Sequence, residues 1–334
     1  MLRQAKLALL GIADAVGVNK LLLESPWRRQ RLLILCYHGV SIEDEHEWNP
    51  ELYITPALLA ERLTEIKRQG MHVLPLSEAI ERLKTGTLPP RAAAITFDDG
   101  NFDFYKQAWP VLQKFKFPVT VYYTTYYAEF NKPVFDVALS YLAWKGNAGA
   151  SAPSLQEVKS RGLDARQKDD FLRVFASSLG INYDAFCAKR LLQIMTPAEA
   201  SELARQGVDF QLHTHRHRVS KDRERFLKEI DDNRIRLNKL STRQATHFCY
   251  PGGYYRPEFP EWLAGHNVVS ATTCNAGIAG PQSQLYLLPR FIDTMYATPV
   301  EFRSWLSGLA SFMPQRQHVM SEGQLMEEWE RSNT

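Results

Sequence analysis

Two groups of acidic and imidazole side chains stand out in this 334-residue sequence. Asp98 and Asp99 are adjacent, and His213 and His217 lie four residues apart. Neighbouring carboxylates repel each other unless a positive charge lies near them, and a metal ion supplies one. On a helical turn, the four-residue spacing directs both imidazoles the same way, and one carboxylate with two imidazoles leaves room for water, as in hydrolytic zinc sites. We therefore predict that Asp99, His213 and His217 bind a divalent metal, most simply zinc, and that Asp98 stays free to accept a proton.

Both groups directly follow segments with the pattern of buried strands. The predicted strand 92–97 ends at the aspartates, and the predicted strand 208–212 ends at the histidines. Two other predicted strands end at residues of chemical interest: 32–37 precedes His38, and 246–250 leads into a Tyr-Pro-Gly-Gly turn. In a βα barrel the active site lies at the carboxyl ends of the strands. The sequence therefore predicts one site at that end of a barrel.

Strand and helix patterns alternate along residues 31–310. Strands are predicted at 32–37, 71–75, 92–97, 119–124, 208–212, 246–250, 268–272 and 287–292. Helices are predicted from Thr55-Pro56 to Gly70, from Ser77 to Thr85, and at 102–115, 221–240, 257–265 and 299–310. This alternation is typical of an α/β fold with a parallel sheet, here a distorted or incomplete (β/α) barrel. Several helices at about 126–200 interrupt the alternation, and we expect them to form an insertion over one end of the barrel.

The two ends of the chain differ from the barrel region. Residues 1–30 carry five basic and two acidic residues among apolar residues at helical spacing. This amphipathic segment either lies on the anionic inner face of a membrane or packs on the domain. Because charges follow its short apolar run where a signal peptide has a cleavage site, we expect a cytoplasmic protein. Residues 311–334 are polar and acidic, and we expect this tail to be loosely held.

The composition excludes several classes of protein. With 45% hydrophobic and 23% charged residues, the chain is neither disordered nor fibrous. Its 40 basic and 37 acidic residues leave a formal charge of +3, so nucleic acid is not an expected partner. The four cysteines lie far apart and form no Cys-x-x-Cys pair, which favours free thiols in a reducing compartment.

These motifs together resemble those of the polysaccharide deacetylases, the NodB-homology or carbohydrate esterase 4 family. Residues 96–100 are TFDDG, residues 213–217 are HTHRH, which matches H-[ST]-x-x-H, and residues 250–253 match the branch with a YPxG turn. The resemblance covers about 31–295. It implies a NodB-like distorted (β/α) barrel that removes acetyl groups from an N-acetylated sugar, usually with zinc. It also implies that the three ligands named above are the metal triad and that Asp98 is the general base.

The resemblance further implies roles in hydrolysis. Asp98 takes the proton of the attacking water, and the backbone N–H of Gly252 is our candidate donor to the oxyanion, worth about 3 kcal/mol. The family often ends its core with Leu-x-x-His, but here residues 287–290 end in arginine. Arginine is a poor acid, so we expect Arg290 to pair with Asp98 and hold it ionised. The acid that protonates the leaving amine is then either His38 or Asp98 itself.

Aromatic residues near the Tyr-Pro-Gly-Gly turn have two interpretations. Tyr254, Tyr255 and Trp262 either stack on sugar rings or pack in the core. Our candidates for contact with substrate are Tyr250, Pro251 and Tyr254.

The sequence thus predicts a metal-dependent N-deacetylase that acts on an N-acetylated glycan or a glycolipid. A sugar intermediate at the inner face of the membrane fits better than a finished wall polymer outside the cell. One alternative is a deformylase or another hydrolase of C–N bonds on a small or lipid-linked sugar. Another is a catalytically inactive, glycan-binding relative: the missing Leu-x-x-His favours it, whereas the intact aspartates and histidines argue against it.

Overall fold

Seven parallel strands close a barrel in the computed structural model, which describes residues 2–314. All the strands within residues 2–314, in chain order, are β1 (Leu33–Tyr37), β2 (Gly39–Val40), β3 (Tyr53–Ile54), β4 (His72–Val73), β5 (Ala92–Phe97), β6 (Thr120–Tyr123), β7 (Asp209–Leu212), β8 (His247–Cys249), β9 (Ser270–Ala276) and β10 (Leu288–Ile292). The short strands β2 and β3 pair with each other in a separate sheet. The ring closes because β1 pairs with both β10 and β5. Strand β4 pairs with β5 outside the ring, so seven of the eight predicted strands line the barrel. The predicted distorted (β/α) barrel is confirmed.

Helices surround this ring. In chain order they are α1 (Leu2–Ala15), α2 (Val18–Glu24), α3 (Pro26–Arg29), α4 (Glu45–Trp48), α5 (Pro56–Arg68), α6 (Leu76–Thr85), α7 (Trp109–Phe115), α8 (Phe135–Lys145), α9 (Leu155–Lys159), α10 (Ala165–Ser178), α11 (Tyr183–Ala188), α12 (Pro197–Arg205), α13 (Arg223–Leu240), α14 (Phe259–Ala264) and α15 (Pro299–Ser307). A π-helical segment, Phe104–Ala108, leads into α7. None of the helices within residues 2–314 combines the length and apolarity needed to cross a membrane.

Local chemistry explains where several elements begin. All six residues of β5 are buried, as expected for a strand of a parallel barrel that is covered on both faces. Thr55 caps α5 by accepting a hydrogen bond from the backbone N–H of Leu58, and Pro56 occupies the first helical position. The helix predicted from Ser77 to Thr85 begins one residue earlier, at Leu76, so Ser77 lies inside α6. The Ser77 hydroxyl instead contacts a buried histidine, His247, 2.9 Å from its Nε2.

The insertion between β6 and β7 has an apolar core of its own. Phe135, Leu139, Leu172 and other residues of α8 to α11 form this cluster. Its aromatic side chains extend to the segment that follows β1, where Trp48 lies edge-on to Tyr141 at 5.6 Å. The insertion therefore packs against the segment that follows β1.

The terminal segments pack against each other on the outside of the barrel. Asn19 of α2 hydrogen-bonds Ser304 and Ser307 of α15. Arg28 is fully buried, and its guanidinium donates to the backbone carbonyls of Leu306 and Ala92, among others. The predicted C-terminal tail begins inside a 3₁₀ turn at Leu309–Phe312, and its residues 315–334 lie outside the described part of the chain.

Candidate active site

Side chains from five strands of the ring meet at the carboxyl end of the barrel. Asp98 and Asp99 follow β5, His213 follows β7, and His38 follows β1. Arg290 lies inside β10, next to an irregularity in the pairing of β10 with β9. The Tyr-Pro-Gly-Gly turn follows β8. Because the strands are parallel, Asp98 and Arg290, which are 192 positions apart in sequence, share one mouth.

Asp99, His213 and His217 bring three potential ligand atoms together. Asp99 Oδ1 lies 3.2 Å from His213 Nε2 and 3.0 Å from His217 Nε2. The three ligand atoms all lie within 4.8 Å of one another. One carboxylate oxygen and two imidazole nitrogens form a donor set typical of catalytic zinc sites.

The hydrogen bond made by His213 Nδ1, the ring nitrogen that points away from Asp99, tests whether the three residues fit a metal. His213 Nδ1 lies 2.8 Å from the carbonyl oxygen of Cys249, which can only accept. Nδ1 therefore carries the proton, and Nε2 presents its lone pair towards Asp99. This is the orientation and tautomer that metal-binding histidines adopt, so the residues fit a divalent cation.

The loop that carries the histidines is not the predicted helical turn. Residues 213–217 form an irregular segment in which Thr214 and His217 have φ of 60° and 55°. Asp99 also has a left-handed backbone, with φ of 68°. Such conformations are unfavourable for residues other than glycine and cluster at functional sites. The two imidazoles converge because of this backbone, and helical spacing is not the cause.

Asp98 and Arg290 form a buried two-point ion pair. Arg290 Nη1 donates to Asp98 Oδ1 at 2.7 Å, and Nη2 donates to Oδ2 at 2.6 Å. Arg290 is fixed in turn because its Nε donates to the carbonyl oxygen of Thr273 at 2.9 Å. Burial alone raises the pKa of Asp98, but the guanidinium overcomes this effect and holds that pKa well below its usual range. Arg290 therefore lies where the sequence predicted, beside an ionised Asp98.

Thiols surround this ion pair, which the sequence analysis did not foresee. Cys249 Sγ lies 3.4 Å and Cys36 Sγ 3.6 Å from Asp98 Oδ2. Cys274 lies close enough for the Arg290 charge to lower its thiol pKa, but burial dominates and raises that pKa to about 11. All four cysteines are free thiols. The sequence held one indication of this arrangement: Cys36 and Cys249 belong to predicted strands that end at the motifs.

His38 lies beside Asp98 but does not bond to it. Its Nε2 is 3.7 Å from Asp98 Oδ2, beyond hydrogen-bond distance. Its Nδ1 is buried without a hydrogen-bond partner among the described residues. Burial lowers the pKa of His38, and the nearby Asp98 charge partly opposes this. His38 is thus an imidazole at the mouth with an unused ring nitrogen.

The predicted substrate contacts need correction. Tyr250 is fully buried and packs against Phe248, with ring centroids 5.0 Å apart, so its side chain belongs to the core. Pro251 is also buried, which leaves Tyr254 as the partly exposed member of the predicted set. Gly252 is exposed, with φ of 60°, and a Cβ atom there would collide with the Tyr254 ring.

Asn233 on α13 supports the loop 213–217, a role that the charged sequence around it did not indicate. Its Oδ1 accepts a hydrogen bond from the backbone N–H of His213 at 2.9 Å. Its Nδ2 donates to the carbonyl oxygen of Tyr123 and to Thr125 Oγ1. Thr125 Oγ1 also lies 2.9 Å from His215 Nδ1. The His215 ring is therefore held by Thr125 and does not join His213 and His217 beside Asp99.

Comparison with known proteins identifies relatives of this chain. The family model described as polysaccharide deacetylase matches residues 85–268, more than half of the chain. The poly-β-1,6-N-acetyl-D-glucosamine N-deacetylases of Escherichia coli strains K12 and O157:H7 are 30% identical over 101 residues. That match covers 30% of this chain but only 15% of each relative's length.

Solved structures share the fold at lower identity. The Streptococcus pyogenes deacetylase PplD in complex with acetate is 22% identical, with a TM-score of 0.59 over 85% of this chain and 99% of that one. A de-N-acetylase from Aggregatibacter actinomycetemcomitans is 13% identical, with a TM-score of 0.57 over 82% and 99% of the two chains. At these identities the likeness establishes the architecture of the barrel.

Proposed function

The chain belongs to the polysaccharide deacetylase family, and on that premise we propose that it is a metal-dependent N-deacetylase of an N-acetylated glycan. The observation that carries this proposal is the meeting of two groups at one mouth. The ligand set of Asp99, His213 and His217 lies directly beside the Asp98–Arg290 ion pair. A hydrolytic site needs both a metal-binding set and an ionised base.

The metal triad holds the cation in this proposal. A divalent metal bound there, zinc by the character of the ligands, supplies Lewis acidity that favours ionisation of water and polarises the acyl oxygen. Asp98 accepts the proton of the attacking water, and Arg290 keeps the carboxylate ionised and fixed by two parallel hydrogen bonds. The backbone N–H of Gly252 is the proposed donor to the developing oxyanion.

The leaving amine needs a proton when the C–N bond breaks. Two groups lie where they can deliver it: Asp98, after it has taken the proton of water, and His38, whose Nε2 is 3.7 Å from Asp98 Oδ2. In the first route, Asp98 gives the proton of water directly to the amine. In the second, Asp98 passes that proton to His38, which gives it to the amine, so both routes end with acetate, a free amine and the site in its starting state. We propose both routes, because in each of them the proton taken from water is the one that reaches the amine.

The substrate proposed is a glycan or glycolipid that contains N-acetylated sugars. The name of the Escherichia coli relatives gives poly-β-1,6-N-acetyl-D-glucosamine as their substrate, which supports N-acetylglucosamine units. We further propose that the reaction takes place in the cytoplasm, at the inner face of the membrane. The basic and apolar character of residues 1–30 supports contact with that face.

Acetate release tests this function. The full chain should release acetate from N-acetylglucosamine oligosaccharides or lipid-linked N-acetylated sugars, lose activity with a chelator, and regain it with added zinc. The same sugars bearing N-formyl groups distinguish a deformylase. Binding of the sugars without release of acetate or formate, in the zinc-loaded protein, would contradict the proposal and identify a glycan-binding relative.

A further inference from the structure

Helix α1 directs its charged side chains towards the domain. Lys6 Nζ lies 3.1 Å from Glu301 Oε1 of α15. Asp14 pairs with Arg303 of the same helix, with Asp14 Oδ2 3.1 Å from Arg303 Nε. Leu10, which lies between them on this side of α1, is fully buried. Polar contacts therefore attach α1 to the barrel.

The opposite side of α1 is apolar and faces solvent. Leu9 and Ile12 of α1 are 57% and 63% exposed, and Val16, which directly follows the helix, is 69% exposed. They share this outer face with three exposed alanines: Ala5, Ala8 and Ala15. A helix on the surface of a soluble protein ordinarily has the reverse polarity. A continuous exposed apolar face of this kind marks an interaction surface.

The charges that follow the outer face along the chain are mostly basic. Lys20 on α2 and Arg29 on α3 are both exposed, and Leu21 beside Lys20 is 73% exposed. The exposed acid of this stretch, Glu24, is already paired with Arg91. Within residues 2–314, neither Lys20 nor Arg29 forms an ion pair. The segment that follows the apolar face along the chain thus adds positive charge, which favours an anionic partner.

The N-terminal end of α1 contacts the loop that follows β10, at the carboxyl end of the barrel. Arg3 Nη2 donates to the backbone carbonyl of Tyr296 at 2.7 Å, and its guanidinium lies 5.5 Å from the centroid of that ring. Tyr296 is in the loop that follows β10, at the carboxyl end of the ring. A partner bound along α1 therefore also approaches the end of the barrel where the candidate active site lies.

We infer that the outer face of α1 docks on an anionic lipid bilayer. Its apolar side chains enter the interface between headgroups and acyl chains, while Lys20 and Arg29 contact acidic headgroups. A second copy of the chain fits less well, because a twofold interface places the same patch on both subunits and brings like charges together. This docking rests on the membrane contact proposed above for residues 1–30, to which it assigns a surface, and it does not depend on the deacetylase activity.

Vesicle flotation with the full chain tests this inference. The protein should bind vesicles that contain phosphatidylglycerol, bind pure phosphatidylcholine vesicles more weakly, and dissociate as salt rises. Ile12→Glu and Val16→Glu should each weaken binding about tenfold or more, because each places a charge in the apolar interface. Val174→Glu is the matched control: Val174 is 70% exposed on α10 in the insertion, and its variant should bind like the parent protein.

Three results would overturn the inference. The first is failure of the parent protein to bind any vesicle, and the second is a loss of binding in Val174→Glu as large as in Ile12→Glu. The third is a dimer of the parent that forms without lipid and that Ile12→Glu dissociates, which would assign the outer face to a second copy. Circular dichroism and acetate release from a soluble oligosaccharide should be unchanged in all variants, which separates loss of docking from loss of folding.

Discussion

At the scale of single residues, two adjacent carboxylates have different partners. Asp98 faces the guanidinium of Arg290, and Asp99 faces the imidazoles of His213 and His217. Because Asp98 lies beside a guanidinium and Asp99 lies beside two imidazoles, both carboxylates can remain ionised side by side. We assign them different roles on this basis, with Asp98 as base and Asp99 as ligand.

Replacing Asp98 tests that division. Asp98→Asn should keep its bound metal and lose turnover by about two to four orders of magnitude, because it removes the base and not a ligand. Metal analysis and acetate release measure the two effects separately. His213→Ala should lose both metal and turnover. Near-normal activity in Asp98→Asn would show that another group is the base.

Replacing Arg290 tests whether the two-point contact positions the base. Arg290→Lys keeps the charge but loses the pair of parallel hydrogen bonds, so kcat should fall while metal content stays the same. Arg62 provides a control, because it forms another buried ion pair, with Asp293, at 2.9 Å. Arg62→Lys should lower the free energy of unfolding and leave kcat nearly unchanged. Equal loss of kcat in both variants would indicate that Arg290 acts through stability alone.

At the scale of secondary structure, α13 joins the loop 213–217 to the barrel. The sequence of this helix is highly charged and predicts a solvated face, yet Asn233 on its inner face is fully buried. The Asn233 amide connects His213 with Tyr123 and Thr125, next to the end of β6. The helix therefore fixes the position of one ligand relative to a neighbouring strand.

Asn233→Ala should weaken both the fold and the site. Loss of the amide leaves buried polar groups unpaired, which should lower the free energy of unfolding by about 1–3 kcal/mol. Metal affinity should fall about tenfold, as for other residues that orient metal ligands. Urea denaturation and competition with a chromophoric chelator measure these effects. Asn238 is exposed on the same helix, and Asn238→Ala should change neither quantity; a similar change in both variants would refute the role of Asn233.

At the scale of the whole molecule, a buried histidine joins elements outside the active site. His247 in β8 lies 2.8 Å from Ser270 Oγ of β9 through Nδ1, and 2.9 Å from Ser77 Oγ of α6 through Nε2. Burial lowers the pKa of His247 to about 4. The fold therefore holds this ring neutral at a pH at which the unfolded chain protonates it.

Stability should accordingly depend on pH below neutrality. Since the unfolded state binds the proton first, the free energy of unfolding is highest above the usual histidine pKa of about 6.5 and falls as pH decreases towards 4. The His247 contribution over this range is about 3 kcal/mol. His247→Gln should remove that part of the slope in urea titrations at several pH values. His72→Gln, at an exposed position, should retain it, and an unchanged slope in His247→Gln would show that the ring is not held neutral.

Much of the site follows from local pattern. The apolar runs that end at Asp98, His213 and His38 identify strands, and parallel strands place their carboxyl ends together. The ligand set and the pairing of Arg290 with Asp98 could therefore be predicted from residue types and their positions at strand ends. The family resemblance was available for the same reason, because its motifs are short and contiguous.

Only the tertiary structure decided the contacts made at long range. Ring closure by β1 and β5, the thiols around Asp98 and the support from Asn233 all depend on packing between elements distant in sequence. Tyr250 belongs to the core because neighbouring rings cover it, which no local pattern records. The sequence determined that α1 is amphipathic, but the ion pairs with α15 decided that its apolar side faces outward. A helical pattern specifies two faces, and the surface against which the helix packs selects which of them is buried.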